Sequence, residues 1–243
     1  MESQRPRRSH AQARAEMREG ILRVGGELLA KDGPAGLSVR EIARGLGVAS
    51  SAIYRHVASR DELLTLLLED AYTDLADWVD AALAGASGRD ALAALAGTMR
   101  AWAVNEPQRW ALVYGSPVPG YVAPAERTTG PGTRVMARFL GLLAAGESAE
   151  SAAAPGDVRD AAQVPRQTAV PSPEYAALLT AGAAELGVEA EPALAAAGVL
   201  AWTSLVGLIS AQVFGQLGQD FTPYGEEMLT AWVRATAETF GLN

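Results

Sequence analysis

The chain has no cysteine, two histidines and a single lysine, Lys31. Without cysteine there is no disulfide scaffold, iron–sulfur centre, thiolate zinc site or cysteine nucleophile. His10 and His56 are too few to supply both a base for a serine nucleophile and a pair of imidazoles for zinc. No apolar run follows Arg5, Arg7 and Arg8, so neither a secretory signal nor a transit peptide is expected, and the cytoplasm is the default location. What is present is ordinary for a globular protein: 243 residues, 49% hydrophobic and 20% charged. That is room for one large domain or two small ones, and too apolar for a wholly disordered chain.

The net charge of -8 conceals an asymmetry. Met1 to Arg60 hold 11 Lys+Arg against 6 Asp+Glu, whereas the remainder holds 9 against 22. Such a chain offers positive charge to a polyanion at its beginning and withholds it elsewhere. A solvated surface would show the same bias.

Hydrophobic periodicity predicts helix almost throughout. Met17, Ile21, Val24 and Leu28 recur at spacings of four and three, as do Leu64, Leu67, Ala71, Leu75 and Trp78, and later Leu229, Trp232, Thr236 and Phe240. Ser38-Val39-Arg40-Glu41 and Ser59-Arg60-Asp61-Glu62 fit capping boxes, and Asn105 and Thr222 precede prolines as further openings. No convincing strand alternation occurs, so the expected fold class is all-α. Two intervals stand apart. Residues 147–173 are poor in large apolar side chains and predict a mobile loop. Gly115 to Gly132 contains Pro117, Pro119, Pro124 and Pro131 and predicts a rigid extended connection.

The most informative stretch is Leu37 to Leu64. A short helix opening at Ser38 shows Ile42, Ala43 and Leu46 to a core and breaks at Gly45 and Gly47; a second begins near Ala49 with Ala52 and Ile53 inward. Two helices across a tight glycine turn make a helix-turn-helix, whose second helix fits the major groove. Ser50, Ser51, Tyr54 and Arg55 are then free to point outward. Arg60 begins a third helix beside backbone donors suited to phosphate.

The run Ser38-Val39-Arg40-Glu41-Ile42-Ala43, then Leu46 through Val57, then Arg60 and Leu63-Leu64, closely resembles the DNA-binding region of TetR-type bacterial transcriptional regulators, over about Arg14 to Leu68. The resemblance implies an N-terminal three-helix DNA-binding domain and a larger helical domain that binds a small ligand and dimerises through its last two helices. By position it places Arg40 near a base edge, Ser50, Ser51 and Tyr54 on the recognition helix, and His56 and Arg60 at phosphates. The full set expected at DNA is Ser38, Arg40, Ser50, Ser51, Ala52, Tyr54, Arg55, His56 and Arg60. Val57 stands where the family usually has phenylalanine, and Arg60, where lysine is usual, substitutes a fork for a point charge. Arg109 to Tyr121, with Trp202 to Gly207 and Phe214-Gly215, resembles the WHG-type C-terminal domain of actinobacterial members.

The resulting expectation is a homodimeric, ligand-responsive regulator, a repressor of double-stranded operator DNA, with no cofactor and no membrane. Its domains would be a basic tail at 1–12, the helix-turn-helix domain at 13–60 and the helical domain at 61–243. Trp102, Trp110, Tyr114, Tyr121 and Trp202 are candidates for an effector pocket, or are simply core. Ala197, Ala201, Ser204, Leu208, Ala211 and Gly215 form a small-residue stripe that, with Trp232, suits a dimer interface. The rival reading takes 192–219, 28 residues without a charge, as a membrane span, although its flanks carry no cation bias. An enzyme is the weaker alternative: Gly115-Ser116-Pro117 lacks a nucleophile elbow and Gly130-Pro131-Gly132 lacks a P-loop lysine. Glu69, Asp70, Asp74, Asp77 and Asp80 read as the wet face of one helix rather than a metal cluster.

Overall fold

A computed structural model describes residues 10–152 and 171–243, with side chains placed outside 147–152. Ten α-helices and no strand occur among the described residues. Helix α1 (His10–Asp32) is followed by α2 (Val39–Leu46), α3 (Ser50–Ile53) and α4 (Arg60–Ala82). Next come α5 (Gly88–Asn105), α6 (Pro107–Tyr114) and α7 (Ala125–Ala152). The chain ends with α8 (Pro173–Glu185), α9 (Pro192–Val213) and α10 (Gly225–Thr239). The chain divides into two compact units: one takes residues up to Tyr72 together with Pro107–Thr128, the other Thr73–Glu106 with Thr129–Asn243.

The first unit has a continuous core. Ile21, Val24 and Leu29 of α1, Ile42 of α2, Ile53, Val57 and Leu63, Leu64 and Leu67 of α4 are all buried in it. Leu112, Val118 and Tyr121 pack against the same cluster, so the segment after Pro107 is part of this unit. Full burial of side chains such as Ile21, Ile42 and Ile53 is worth about 1.5–3 kcal/mol each, enough to hold helices too short to persist alone. In the second unit α9 packs against α5, α8 and α10, burying Leu194, Gly198, Leu205 and Ile209.

Several expectations require correction. Helix begins at His10, so only residues 1–9 of the expected tail lie outside the described residues. Of the expected loop 147–173, residues 147–152 continue α7 and Ser172-Pro173 open α8; 153–170 lie outside the described residues. The proline-rich connection ends at Pro124, and Pro131 sits inside α7. Proline's φ is helical; its cost is one lost donor and a clash with the preceding turn, which α7 absorbs. The opening expected at Thr222 is a 3-10 turn, Gln219–Tyr224, and α10 starts only at Gly225. Helix α9 stops at Val213, so the expected stripe loses Gly215, which turns with φ 66° beyond the helix end.

Candidate nucleic-acid interface

Both serine caps form. The Ser38 hydroxyl accepts from the Glu41 amide at 3.2 Å and the Ser59 hydroxyl from the Glu62 amide at 3.1 Å. Each glutamate turns its carboxylate elsewhere, Glu41 to Arg44 and Glu62 to Arg127, so the boxes close from the serine side. Gly47 ends α2 in the left-handed region, φ 66°, where a side chain would be strained. Gly45 does not break the helix as expected. It lies within α2, and a Cβ there would stand 2.6 Å from Val24 Cγ1 on α1, so glycine serves the close approach of the two helices.

Helix α3 is one turn long and is held from behind. Ile53 and Val57 are buried, while Ser51, Tyr54, Arg55 and His56 are exposed between and around them. Ser50 and Ala52 are half-buried. Backbone bonds from Tyr54 to Ser50 O and from Val57 to Ile53 O continue the turn past the helix end. The outward residues are therefore fixed by two apolar anchors.

A concavity of about 340 Å³ brings four of the expected residues together: Ser38, Arg40, Tyr54 and Arg60 line it, with Ser59 beside them. The capped N-termini of α2 and α4 both face this hollow, and their backbone donors add partial positive charge to two guanidinium groups. Arg40 is exposed. Arg60 donates to the Pro34 carbonyl at 2.8 Å, which aims the fork and leaves other donors available. The hollow suits a singly charged tetrahedral oxyanion such as a backbone phosphate.

The five aromatic pocket candidates fall in different units. Trp110, Tyr114 and Tyr121 belong to the first; Trp102 and Trp202 belong to the second. Trp102 and Trp110 are fully enclosed. Trp102 donates its indole N–H to Asp74 at 2.9 Å, and Trp110 packs on Tyr114 with ring centroids 4.4 Å apart. Burial pushes the Tyr114 and Tyr72 phenols up, and Tyr121 likewise despite a 3.0 Å hydrogen bond with Thr65. Trp202 is half-buried beside Phe139, centroids 5.6 Å apart. Of the stripe, Ala197, Ala201, Leu208 and Ala211 are half-buried and Ser204 exposed; the Trp232 indole donates to Ser204 Oγ at 2.8 Å.

The acidic row of α4 is not a wet face. In the first unit Arg127 meets Glu69 at 2.6 Å and Glu62 at 2.7 Å, and Arg109 meets Asp70 at 2.8 Å. In the second, Arg134 meets Asp77 and Asp80 at 2.7 and 2.5 Å, and Arg138 meets Asp80 at 2.8 Å. These acids answer arginines of α6 and α7 far away in sequence. The available signal was scarcity: four of the nine cations after Arg60 are those four arginines.

Comparison with known proteins agrees with this geometry. Residues 21–67 match the sequence model described as bacterial regulatory proteins, tetR family, and residues 92–236 match the one described as tetracyclin repressor-like, C-terminal domain. The HTH-type transcriptional regulator Rv1816 of Mycobacterium tuberculosis is 46% identical over 211 residues, covering 86% of this chain and 85% of its own. The chain belongs to the tetR family. It is accordingly a DNA-binding transcriptional regulator and not an enzyme. Among solved structures, the regulatory protein SCO4313 has a TM-score of 0.70 at 29% identity, covering 94% of this chain and 98% of that one. FadR of Bacillus subtilis, crystallised with stearoyl-CoA, shares the fold at a TM-score of 0.54 and 13% identity, covering 93% and 99%. The tetR-family assignment also accounts for α9: a helix of 22 residues with an 18-residue window of mean hydropathy 1.8 is long and apolar enough to cross a bilayer, but here it packs as a helix of the C-terminal domain.

Proposed function

We propose that this tetR-family chain acts in the cytoplasm as a homodimeric repressor that grips a palindromic operator and releases it when a small molecule binds. The observation that carries the DNA side is the hollow where Ser38, Arg40, Tyr54 and Arg60 converge, beside a turn that exposes Ser51, Arg55 and His56. Arg40 reads a base edge and Arg60 binds phosphate. The proposed dimer face is α9 with α10: only 33% of the apolar window of α9 is buried within one chain, and Leu200 is exposed. The effector belongs to the second unit, beside Trp202; FadR's complex with stearoyl-CoA supports an apolar tail as the type of ligand such a domain accepts.

The test begins with selection of bound fragments from genomic DNA by the purified protein. On a panel of variants of the recovered site, Arg40→Ala should relax preference at one position per half-site, by about 1–3 kcal/mol. Arg60→Ala should weaken every sequence alike. Equal losses across the panel for both variants would show that these roles are wrongly divided.

A further inference from the structure

Helix α1 starts at His10, eleven residues before the first side chain it buries, Ile21. Every residue from His10 to Glu16 is exposed, and the first buried residue of α1 is Ile21. About two helical turns thus stand clear of the core they were not needed to build. Their charges are sorted by face. Arg14 lies seven residues before buried Ile21 and Arg18 seven before buried Gly25, so both continue the core-facing stripe of the helix. Glu16 lies seven residues before exposed Arg23 and falls on the opposite side, with Glu19 next to it. Neither Arg14 nor Arg18 has an ion-pair or hydrogen-bond partner among the described residues, whereas Arg23 is paired with Glu27 at 2.9 Å.

The direction of this projecting end is fixed by packing. A Cβ on Gly25 would meet Leu67 at 3.0 Å, and one on Gly20 would meet Leu46 at 3.0 Å. Leu46 is the last residue of α2, and the turn after it leads straight into α3 at Ser50. Toward its N-terminus, α1 therefore leaves the core beside the turn that presents the recognition helix. At about 1.5 Å per residue, Arg18 and Arg14 stand roughly 3 and 9 Å beyond Gly20.

We infer that the exposed start of α1 is a second DNA contact, in which Arg14 and Arg18 grip backbone phosphates flanking the half-site read by α3. This rests on the proposed operator binding and adds to its footprint. It reads no sequence; it lengthens the contact and fixes the register. A basic face with no partner among the described residues, placed beside the reading helix on an otherwise acidic protein, fits a polyanion by charge.

The experiment uses the full chain and two duplexes carrying the selected site, one trimmed to the half-sites and one extended by a helical turn on each side. Affinity is followed by fluorescence anisotropy against salt. Each lost phosphate contact lowers the salt slope by about 0.9, so the double variant Arg14→Ala/Arg18→Ala should lose about 3 to 4 from the slope of a dimer on the extended duplex. On the trimmed duplex it should bind as the parent does. Arg14→Lys/Arg18→Lys should keep the parent's slope, and helix content by circular dichroism should not fall, since alanine is the better helix former. A parental slope for the alanine variant on the extended duplex overturns the inference while leaving operator binding intact. So does a slope lost equally on both duplexes, which places the arginines inside the half-site. A parent protein that holds neither duplex removes operator binding itself, and the inference with it.

Discussion

The DNA-reading end and helix α9 make their side chains matter in opposite ways. Between Ser38 and Arg60 the residues proposed to meet DNA are mostly polar and outward, and two buried anchors, Ile53 and Val57, aim them. In α9 no residue is charged, and in the proposed dimer the helix acts through a face of small side chains. A recognition helix of four residues can be understood from its neighbours in sequence. A helix of 22 residues, more than five times as long, can be understood only from its neighbours in space.

The largest effect that would break this contrast lies in α9. Ala201 is half-buried, and its carbonyl accepts from Ser204 Oγ at 2.7 Å, the hydroxyl that also holds Trp232. Ala201→Glu places a charge at the proposed interface and should yield monomers by light scattering. Operator affinity should then fall by about a hundredfold or more, because two half-sites are no longer engaged together. A dimer that survives this change would show that α9 is merely a core helix.

The next effect belongs to the reading end. Ile53→Ala should cost about 2–5 kcal/mol of stability, since a fully enclosed side chain is cut back within a close-packed core. Thermal unfolding would measure it. Exposed Ser51→Ala, two residues away, should lie within about 0.5 kcal/mol of the parent while altering DNA affinity. Comparable destabilisation by both would mean that the outward face is part of the packing after all.

How much of this was legible follows from sequence separation. The serine caps bridge three residues, Ser38 to Glu41 and Ser59 to Glu62, and the caps, the Gly47 turn and the Ile53 anchor were all visible as local pattern. The role of the acids of α4 was not. Arg127 to Glu69 spans 58 residues and Arg134 to Asp80 spans 54, and no periodicity on one helix can announce a partner on another. The same blindness applied to Gly45, taken as a helix breaker when its constraint is Val24 on α1. Pro131 misled in the other direction, because a local rule against proline in helices was outweighed by the helix around it. Arg18 lies within the periodic run from Met17 to Leu28 and Arg14 just before it, but burial is what shows which side of the helix they occupy.

The smallest effect sharpens the contrast by pH. In the second unit Asp80 accepts from Arg138 and Arg134, and these hydrogen bonds hold its carboxyl below the usual carboxylate range against the opposing effect of burial. A carboxyl depressed on folding stabilises the native state at pH values above its unfolded value, about 3.9, and loses that contribution as pH falls through the lower, folded value. Asp80→Asn should therefore lower stability at neutral pH by no more than about 1 kcal/mol, because the pair remains partly open to solvent screening. The difference between variant and parent should shrink as the medium is taken below the usual carboxylate range, where the parent's Asp80 is protonated too. Denaturant melts across pH would follow it. A difference that stays constant down to strongly acid solution would mean that Asp80 contributes through shape and neutral hydrogen bonding, and that the arginines of α7 would pack against α4 as well without its charge.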